Sequence, residues 1–331
     1  MSDGVVVPGT ACSEERSGEV DLSIVIVNLN TRELLLDCIA SIYATVPPLS
    51  AEIWVVDNAS TDGSVEAVRS AFPGVRCIVN DRNRGFAGAN NQAIRQASGR
   101  YVVLLNTDAV LTPAALATIV DFMDSHRDVA VCGGQLLNGD GSLQNSIANV
   151  PTLATELLNK SLLRLLFPKR FPGKERRFAS PVEVESIIGA CMVVAKRAID
   201  GVGLLDESYF FFFEETDWCL SMKKKGWRIF FHPEARIFHL QGQTAKKHIV
   251  AARVEYWKSR YFFFRKQYSP ALAVLIGIGL IVRLCVSLVL QLVAAPVSGS
   301  ARARLKINAM LLLWHLAGCP ARWGLAPSVP T

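Results

Sequence analysis

Asp108 ends the short polar tip Asn106-Thr107-Asp108, directly after the apolar run Tyr101-Val102-Val103-Leu104-Leu105. A continuous apolar run of that length suits a parallel strand buried on both faces. In an open α/β sheet, ligands bind in the crevice beyond the carboxyl ends of the strands, so a carboxylate there points at a ligand. The competing role is a turn aspartate capping the helix that begins near Thr112-Pro113, although Thr112 can supply that cap itself. Asp57 closes a second such run, Ile53-Trp54-Val55-Val56, with Asp62 just beyond it, and Asn83-Arg84-Gly85 precedes a further helix. A nucleotide can meet these groups with its base or ribose on Asp57 and its phosphates bridged by a cation on Asp108. A single acid of this kind is a weak signal, because surface loops are rich in aspartate; three successive strand-end loops are a stronger one.

The elements that must position these groups follow from periodicity. Residues 22–28, 53–57, 75–79 and 101–105 read as strands, and residues 33–43, a segment ending at Phe72, and residues 85–97 read as helices. Strands separated by helices of this length imply βαβ crossovers and a mainly parallel sheet, an α/β fold. The first strand-to-helix junction, Asn28-Leu29-Asn30-Thr31, has no glycine, which excludes the dinucleotide fingerprint, and no GxxxxGK[ST] loop occurs. Residues 133–145, GGQLLNGDGSLQN, read as a hairpin turning at Asn138-Gly139-Asp140-Gly141. Residues 150–182 lose periodicity and read as a mobile loop. Its cluster Lys169, Arg170, Lys174, Arg176 and Arg177 suits a phosphorylated ligand, or simply a solvated charged run.

Over 331 residues the formal charge is +6, but its distribution is uneven. From Lys246 onward there are 12 Lys or Arg against Glu255 alone, which leaves residues 1–245 with 23 basic and 28 acidic side chains. An acidic body argues against nucleic acid as a partner, and a basic, apolar tail points to an anionic membrane surface. The 8 cysteines are scattered without CxxC or a Cys/His cluster and read as reduced thiols. Residues 1–20 carry no secretory signal pattern and read as a flexible tail.

Five ordered motifs then carry a family resemblance: VVDNASTDGS (55–64), NRGFAGANNQAI (83–94), LLNTDAVL (104–111), GACMVV (189–194) and FFFFEETDWCLSMKKKGWRIFFHPEARIFHLQGQT (210–244). Together they resemble bacterial glycosyltransferase family 2, in its rhamnosyltransferase-like branch, over residues 22–268. The resemblance implies a GT-A fold, a nucleotide-diphospho-sugar donor, a divalent cation (Mg²⁺ or Mn²⁺) and inversion at the anomeric carbon. It implies further that Asn28, Asp57, Asp62, Asn83, Gly85, Asn90, Asn91, Asn106 and Asp108 form the donor site. Asp108 matches the last acid of the DxD-type metal motif and Asn106 replaces the first. His239 matches a histidine that some members place on the metal; the alternative is a histidine satisfied in the core. Glu215 takes the position of the usual catalytic base, within the cluster Glu214, Glu215 and Asp217. That cluster begins a helix over about residues 215–225, whose positive end favours an ionised carboxylate; the alternative is that all three acids only cap and charge the helix.

Past Tyr268 the chain changes character. Residues 271–295 are apolar or small apart from Ser287, Gln291 and Arg283, long enough to cross a bilayer. A second apolar run, residues 307–316, follows the basic residues Arg302, Arg304 and Lys306. One crossing would put the basic segments 253–266 and 302–306 on opposite sides, so the expectation is a pair of interfacial or re-entrant helices on the cytoplasmic face of the inner membrane. Three units follow: residues 1–20 as a tail, 21–268 as the GT-A domain and 269–331 as the membrane-associated segment. The function read from these features is hexosyl transfer to a saccharide or polyprenyl-linked acceptor in cell-surface polysaccharide synthesis. The alternative is a non-catalytic sugar-nucleotide-binding or scaffold subunit of the same fold.

Overall fold

The structure, a computed structural model, describes residues 20–158, 160–167, 178–240 and 249–325. Its first half alternates β1 (Leu22–Asn28), α1 (Arg32–Thr45), β2 (Ala51–Asp57), α2 (Ser64–Ala71), β3 (Arg76–Val79), α3 (Gly85–Ile94) and β4 (Tyr101–Asn106). β1 pairs in parallel with β2 and with β4, and β2 pairs in parallel with β3. The runs that read as two-sided strands are buried along nearly their whole length. Each fully buried Val, Leu or Ile among them contributes roughly 1.5–3 kcal/mol relative to exposure. Asn28 and Asp57 lie side by side in register at the carboxyl end of the sheet.

The second half makes the sheet mixed. It contains β5 (Ala109–Leu111), α4 (Ala115–Ser125), β6 (Val129–Leu137), β7 (Ile147–Ala148), α5 (Leu153–Leu157), α6 (Lys160–Leu166), β8 (Val182–Glu183) and β9 (Ser186–Ile187). It continues with β10 (Cys191–Ala195), α7 (Lys196–Val202), α8 (Glu214–Lys224) and β11 (Arg228–His239). The order is β3-β2-β1-β4-β10-β6-β11-β5. β10 inserts antiparallel between β4 and β6, and β11 runs parallel to β6 and antiparallel to β5. The consequence for the site is specific: the last residue of β11, His239, pairs with Ala109, next to Asp108.

Two expectations need correction. Residues 133–137 belong to the long strand β6, and the chain turns at Asn138 to Gly141 as expected, but the returning arm pairs only through the Leu137–Leu143 bridge and the Gln144 N–H to Leu136 carbonyl bond, so it does not form a second strand. Within residues 150–182, α5 and α6 replace the expected loop, α5 being started by a reciprocal cap between Thr152 and Thr155. The cluster Lys169 to Arg177 and all but the last residue of the proposed N-terminal tail lie outside the described residues.

The C-terminal segment consists of α9 (Ile249–Gln267), α10 (Pro270–Ala294) and α11 (Gly299–Leu316). Ala273, Ile276, Leu280 and Leu284 recur at helical spacing and form the buried face of α10. Phe263 and Phe264 of α9 join Ala273, Ile276 and Leu280 to Tyr209 and Phe213 beside α8 in one apolar cluster. The second apolar run extends backward, since α11 starts early enough to include Arg302, Arg304 and Lys306. Arg283, at the middle of α10, donates to the carbonyl of Glu156 at 3.3 Å, so its charge is met by α5.

Candidate active site

The first strand-end loops organise themselves. Asn28 Nδ2 donates to Asp57 Oδ1 at 2.8 Å and to Ser60 Oγ at 3.0 Å, while Ser60 N–H donates to Asp57 Oδ2 at 2.8 Å. Asp57 is 1% exposed, with each carboxylate oxygen accepting one hydrogen bond from its own end of the sheet. Asp62 is likewise used at home: Oδ2 accepts the N–H of Arg32 at the start of α1, and Oδ1 accepts from the N–H and hydroxyl of Ser64 at the start of α2. Burial raises its pKa, but the hydrogen bonds from Ser64 and Arg32 outweigh that and hold it below the ordinary carboxylate value. What this end of the sheet does present is Thr31, whose hydroxyl bonds that of Thr107 at 2.9 Å and ties the first loop to the Asn106-Thr107-Asp108 tip.

The second loop packs against the last motif. Asn83 Oδ1 accepts the N–H of Gly85 at 2.9 Å. Gly85 has φ +74°, and a Cβ there would lie 2.4 Å from the carbonyl oxygen of Phe210, so only glycine fits. The next residue's N–H, Phe86, donates to that same carbonyl at 2.8 Å. Asn90 and Asn91 point inward: Asn90 Nδ2 donates to the Phe86 carbonyl, and Asn91 Nδ2 donates to the Leu205 carbonyl and Glu207 Oε1, each at 2.9 Å. Both are 1% exposed and clamp α3 to its surroundings. Asn83 stays half-buried and Arg84 exposed at the mouth of the loop.

The third loop brings together two groups far apart in the chain. Asp108 Oδ1 lies 3.2 Å from His239 Nε2, and the Leu240 N–H donates to the Asp108 carbonyl at 2.9 Å. Among the described residues no group of three or more His, Cys, Asp or Glu converges on one point. A pair is sufficient for Mg²⁺ or Mn²⁺ at a phosphate site, where phosphates and waters complete the shell. Two ligands on adjacent corners of an octahedral shell with bonds near 2.1 Å are about 3 Å apart, and the Asp108 to His239 separation fits that edge. Sequence reasoning missed Gln144, whose Oε1 meets His239 Nδ1 at 2.7 Å. Its only signal in the chain was its place after the Asn138 to Gly141 turn. Asn106 is half-buried, with its N–H donating to the Ala190 carbonyl at 2.9 Å.

The carboxylate cluster is linked to the Asn106-Thr107-Asp108 tip through Gly189-Ala190, whose Ala190 carbonyl accepts the Asn106 N–H. Gly189 follows the β9 strand, and a Cβ there would be 3.8 Å from Glu215 Cβ and 4.0 Å from the Phe86 ring. The approach to Glu215 passes through Phe212 and Phe213, both left-handed at φ +72° and +70°, a conformation that costs non-glycine residues roughly 1–2 kcal/mol each. The rings hold it: Phe213 packs on Tyr256 and Phe263, Phe212 packs on Tyr256, and Ser259 Oγ donates to the Phe211 carbonyl at 2.8 Å. One carboxylate oxygen of Glu214 and one of Glu215 are buried without a hydrogen-bond partner. Burial pushes both carboxyls above the ordinary value, Glu214 further because Glu215 lies beside it, whereas the N–H groups of Glu215 and Thr216 restrain the rise at Glu215. The expectation that the helix terminus keeps this cluster ionised is therefore corrected: desolvation exceeds the helix-end contribution.

Asp217 does something else. Its Oδ2 accepts from Lys266 Nζ at 2.7 Å, and its Oδ1 accepts from Gln267 Nε2 at 2.5 Å and the Tyr209 hydroxyl at 3.2 Å. A carboxylate with both oxygens engaged in this way is a tether between α8 and α9.

Residues 23–203, more than half of the chain, match the family model described as Glycosyl transferase family 2. The N-acetylglucosaminyl-diphospho-decaprenol L-rhamnosyltransferase of Mycobacterium tuberculosis is 25% identical over 241 residues, covering 68% of this chain and 78% of that protein. The low-salt glycan biosynthesis hexosyltransferase Agl10 of Haloferax volcanii is 26% identical over 220 residues, 65% of each chain. Among solved structures, the mannosyltransferase PcManGT from Pyrobaculum calidifontis, in complex with GDP-Man and Mn²⁺, superposes with a TM-score of 0.51 at 16% identity, covering 90% of this chain and 88% of that one. GalNAc-T7 with UDP, GalNAc and Mn²⁺ gives 0.52 at 18% identity, over 77% of this chain and 52% of that one. The architecture is the GT-A fold that the five motifs implied.

Proposed function

The chain belongs to glycosyl transferase family 2, and from that premise we propose that it is an inverting, metal-dependent hexosyltransferase. Its donor is a nucleotide-diphospho-sugar, with rhamnose the first candidate sugar after the named relative. Its acceptor is a hydroxyl of a saccharide carried on a polyprenyl diphosphate at the cytoplasmic face of the inner membrane, in cell-surface polysaccharide assembly. The observation that carries the reading is the pairing of Asp108 with His239 at 3.2 Å, at the strand ends where a diphosphate would be met. Glu215, which keeps a carboxylate oxygen without a partner and packs beside Gly189, is the candidate base. Asp108 and His239 would hold Mg²⁺ or Mn²⁺, which when bound supplies positive charge for the departing diphosphate.

The remaining chemistry is done by this chain's own groups. Inverting displacement needs one carboxylate to take the proton from the acceptor hydroxyl on the face opposite the leaving group. Glu215 is the member of its cluster suited to that task, because Asp217 is saturated and Glu214 is fully buried with the higher pKa of the pair. Burial raises both carboxyls of the pair, and Glu215 is the more exposed of the two, with the N–H groups of Glu215 and Thr216 favouring its ionised form.

Glu215→Gln is expected to keep donor affinity and lower transfer by a factor on the order of 10² or more. Asp108→Asn is expected to lose transfer while its thermal unfolding matches the parental protein. The measurement is sugar transfer from a panel of nucleotide-sugars to a polyprenyl-diphosphate saccharide, with donor binding followed separately by calorimetry. Transfer at the parental rate by Glu215→Gln would remove Glu215 as the base. Full activity of Asp108→Asn in excess chelator would remove the metal.

A further inference from the structure

We infer that Gln144 is a positioning residue for metal binding: it fixes the proton of the His239 ring on Nδ1 and so aims the Nε2 lone pair at the position shared with Asp108. The inference rests on the reading of Asp108 and His239 as the metal-holding pair and adds the group that makes one of them competent.

The geometry determines which way the amide of Gln144 faces. Its Nε2 has two acceptors, Asn138 Oδ1 at 2.9 Å and the His239 carbonyl at 3.0 Å. An NH₂ group donates twice and does not accept, so the remaining atom, Oε1, is the one that faces His239 Nδ1 at 2.7 Å. A carbonyl oxygen at that distance requires a proton on Nδ1. The neutral ring then has its lone pair on Nε2, 3.2 Å from Asp108 Oδ1. Two lone-pair atoms facing each other at that distance repel unless a proton or a cation lies between them, so the arrangement is stable when a cation is supplied. A histidine ligand whose other nitrogen is held by a hydrogen-bond acceptor is the usual means of setting tautomer and ring orientation at a metal.

The turn that reads as a hairpin in the sequence thereby acquires a purpose. Asn138 N–H donates to the Ser142 carbonyl, the Gly141 N–H donates to the Asn138 carbonyl, and Asn138 Nδ2 donates to Ser142 Oγ, each at 2.9 Å. These bonds fix Asn138 Oδ1, which fixes the amide of Gln144. Gln144 is itself buried, and the Leu136 carbonyl accepts its backbone N–H at 2.8 Å, so the side chain is held from both ends.

The test uses the full chain in metal-free form. Nitrogen-15 spectra of histidine-labelled protein should show the neutral His239 ring protonated on Nδ1, and Mn²⁺ titration followed by the spin resonance of the free ion gives affinity without activity. Gln144→Met, close in volume and without an acceptor at that atom, should weaken Mn²⁺ binding roughly 10–100-fold. Gln144→Glu keeps an acceptor against Nδ1 and should bind Mn²⁺ far more tightly than Gln144→Met. A neutral ring protonated on Nε2 in the parental protein would overturn the inference, and that measurement does not depend on either variant folding. Parental Mn²⁺ affinity in Gln144→Met, with Asp108→Ala impaired, would overturn the role of Gln144 alone. Parental affinity in both Gln144→Met and Asp108→Ala would instead overturn the metal pair.

Discussion

Adjacent buried carboxylates are costly to a fold, and Glu214 and Glu215 are retained at the start of α8 with an unpartnered oxygen each. Both have pKa values raised by burial, so the folded state binds these protons more tightly than the unfolded state does. A carboxyl raised in this way contributes stability that is complete below its unfolded value and is lost as pH climbs through the folded value. Glu214→Gln cannot lose that contribution. Its melting temperature should therefore gain on the parental one as pH rises above the ordinary carboxylate range, and a gap between the two that does not change with pH would refute the raised value at Glu214. The nearness of Asp108 and His239 was foreshadowed in the sequence because residue type and motif order point to both. The partners of Asp57 and Asp62, namely Ser60, Ser64 and the Arg32 N–H, were not, because they are set by loop geometry that residue types alone do not specify.

Elements explain how groups remote in sequence come together. The parallel half of the sheet follows from apolar runs alternating with amphipathic helices, and it was legible without any structure. The insertion of β10 between β4 and β6, and the return of β11 beside β5, were not, because long-range pairing depends on which strand edges remain unsatisfied and not on local pattern. One junction between the two halves depends on a single position. Gly85 lets α3 approach the Phe210 carbonyl, and that carbonyl precedes the left-handed Phe212-Phe213 turn leading to Glu215. Gly85→Ala adds a positive-φ penalty of roughly 1–2 kcal/mol to the steric conflict with Phe210. The expected outcome is a lowered melting temperature and a larger fall in kcat than in donor affinity, read by thermal unfolding and by transfer kinetics on the same preparation. If kcat holds while stability falls, the packing of α3 on the turn is structural only.

At the scale of the whole molecule the acidic body and the basic tail meet along α10. That helix is 25 residues long, its most apolar 18-residue window has a mean hydropathy of 2.6, and only 28% of that window is buried in the protein. Its inner face is sealed to α9 and α5, and Arg283 at its centre is bonded to Glu156 of α5. A helix tied at its midpoint to α5 would draw that element and a charge with it into a bilayer core, where charge costs about 2.5–3.5 kcal/mol. An interfacial placement is the proposal that avoids this cost: Val282, Val286 and Val289 face outward, each more than half exposed, and Arg302, Arg304 and Lys306 at the start of α11 would then meet an anionic surface. Cutting the chain after Tyr268 is a poor test of attachment, because it would uncover Phe263 and Phe264, which have no exposed area in the intact protein. Val282→Glu, Val286→Glu and Val289→Glu combined leave that cluster intact. The triple variant should unfold at the parental temperature yet fail to float with vesicles containing phosphatidylglycerol, and the parental protein should float less well as salt is raised. Flotation of the triple variant at parental yield would show that the outer face of α10 is not the attachment surface, and would move the search to the exposed Leu165, Leu166 and Phe167 at the end of α6.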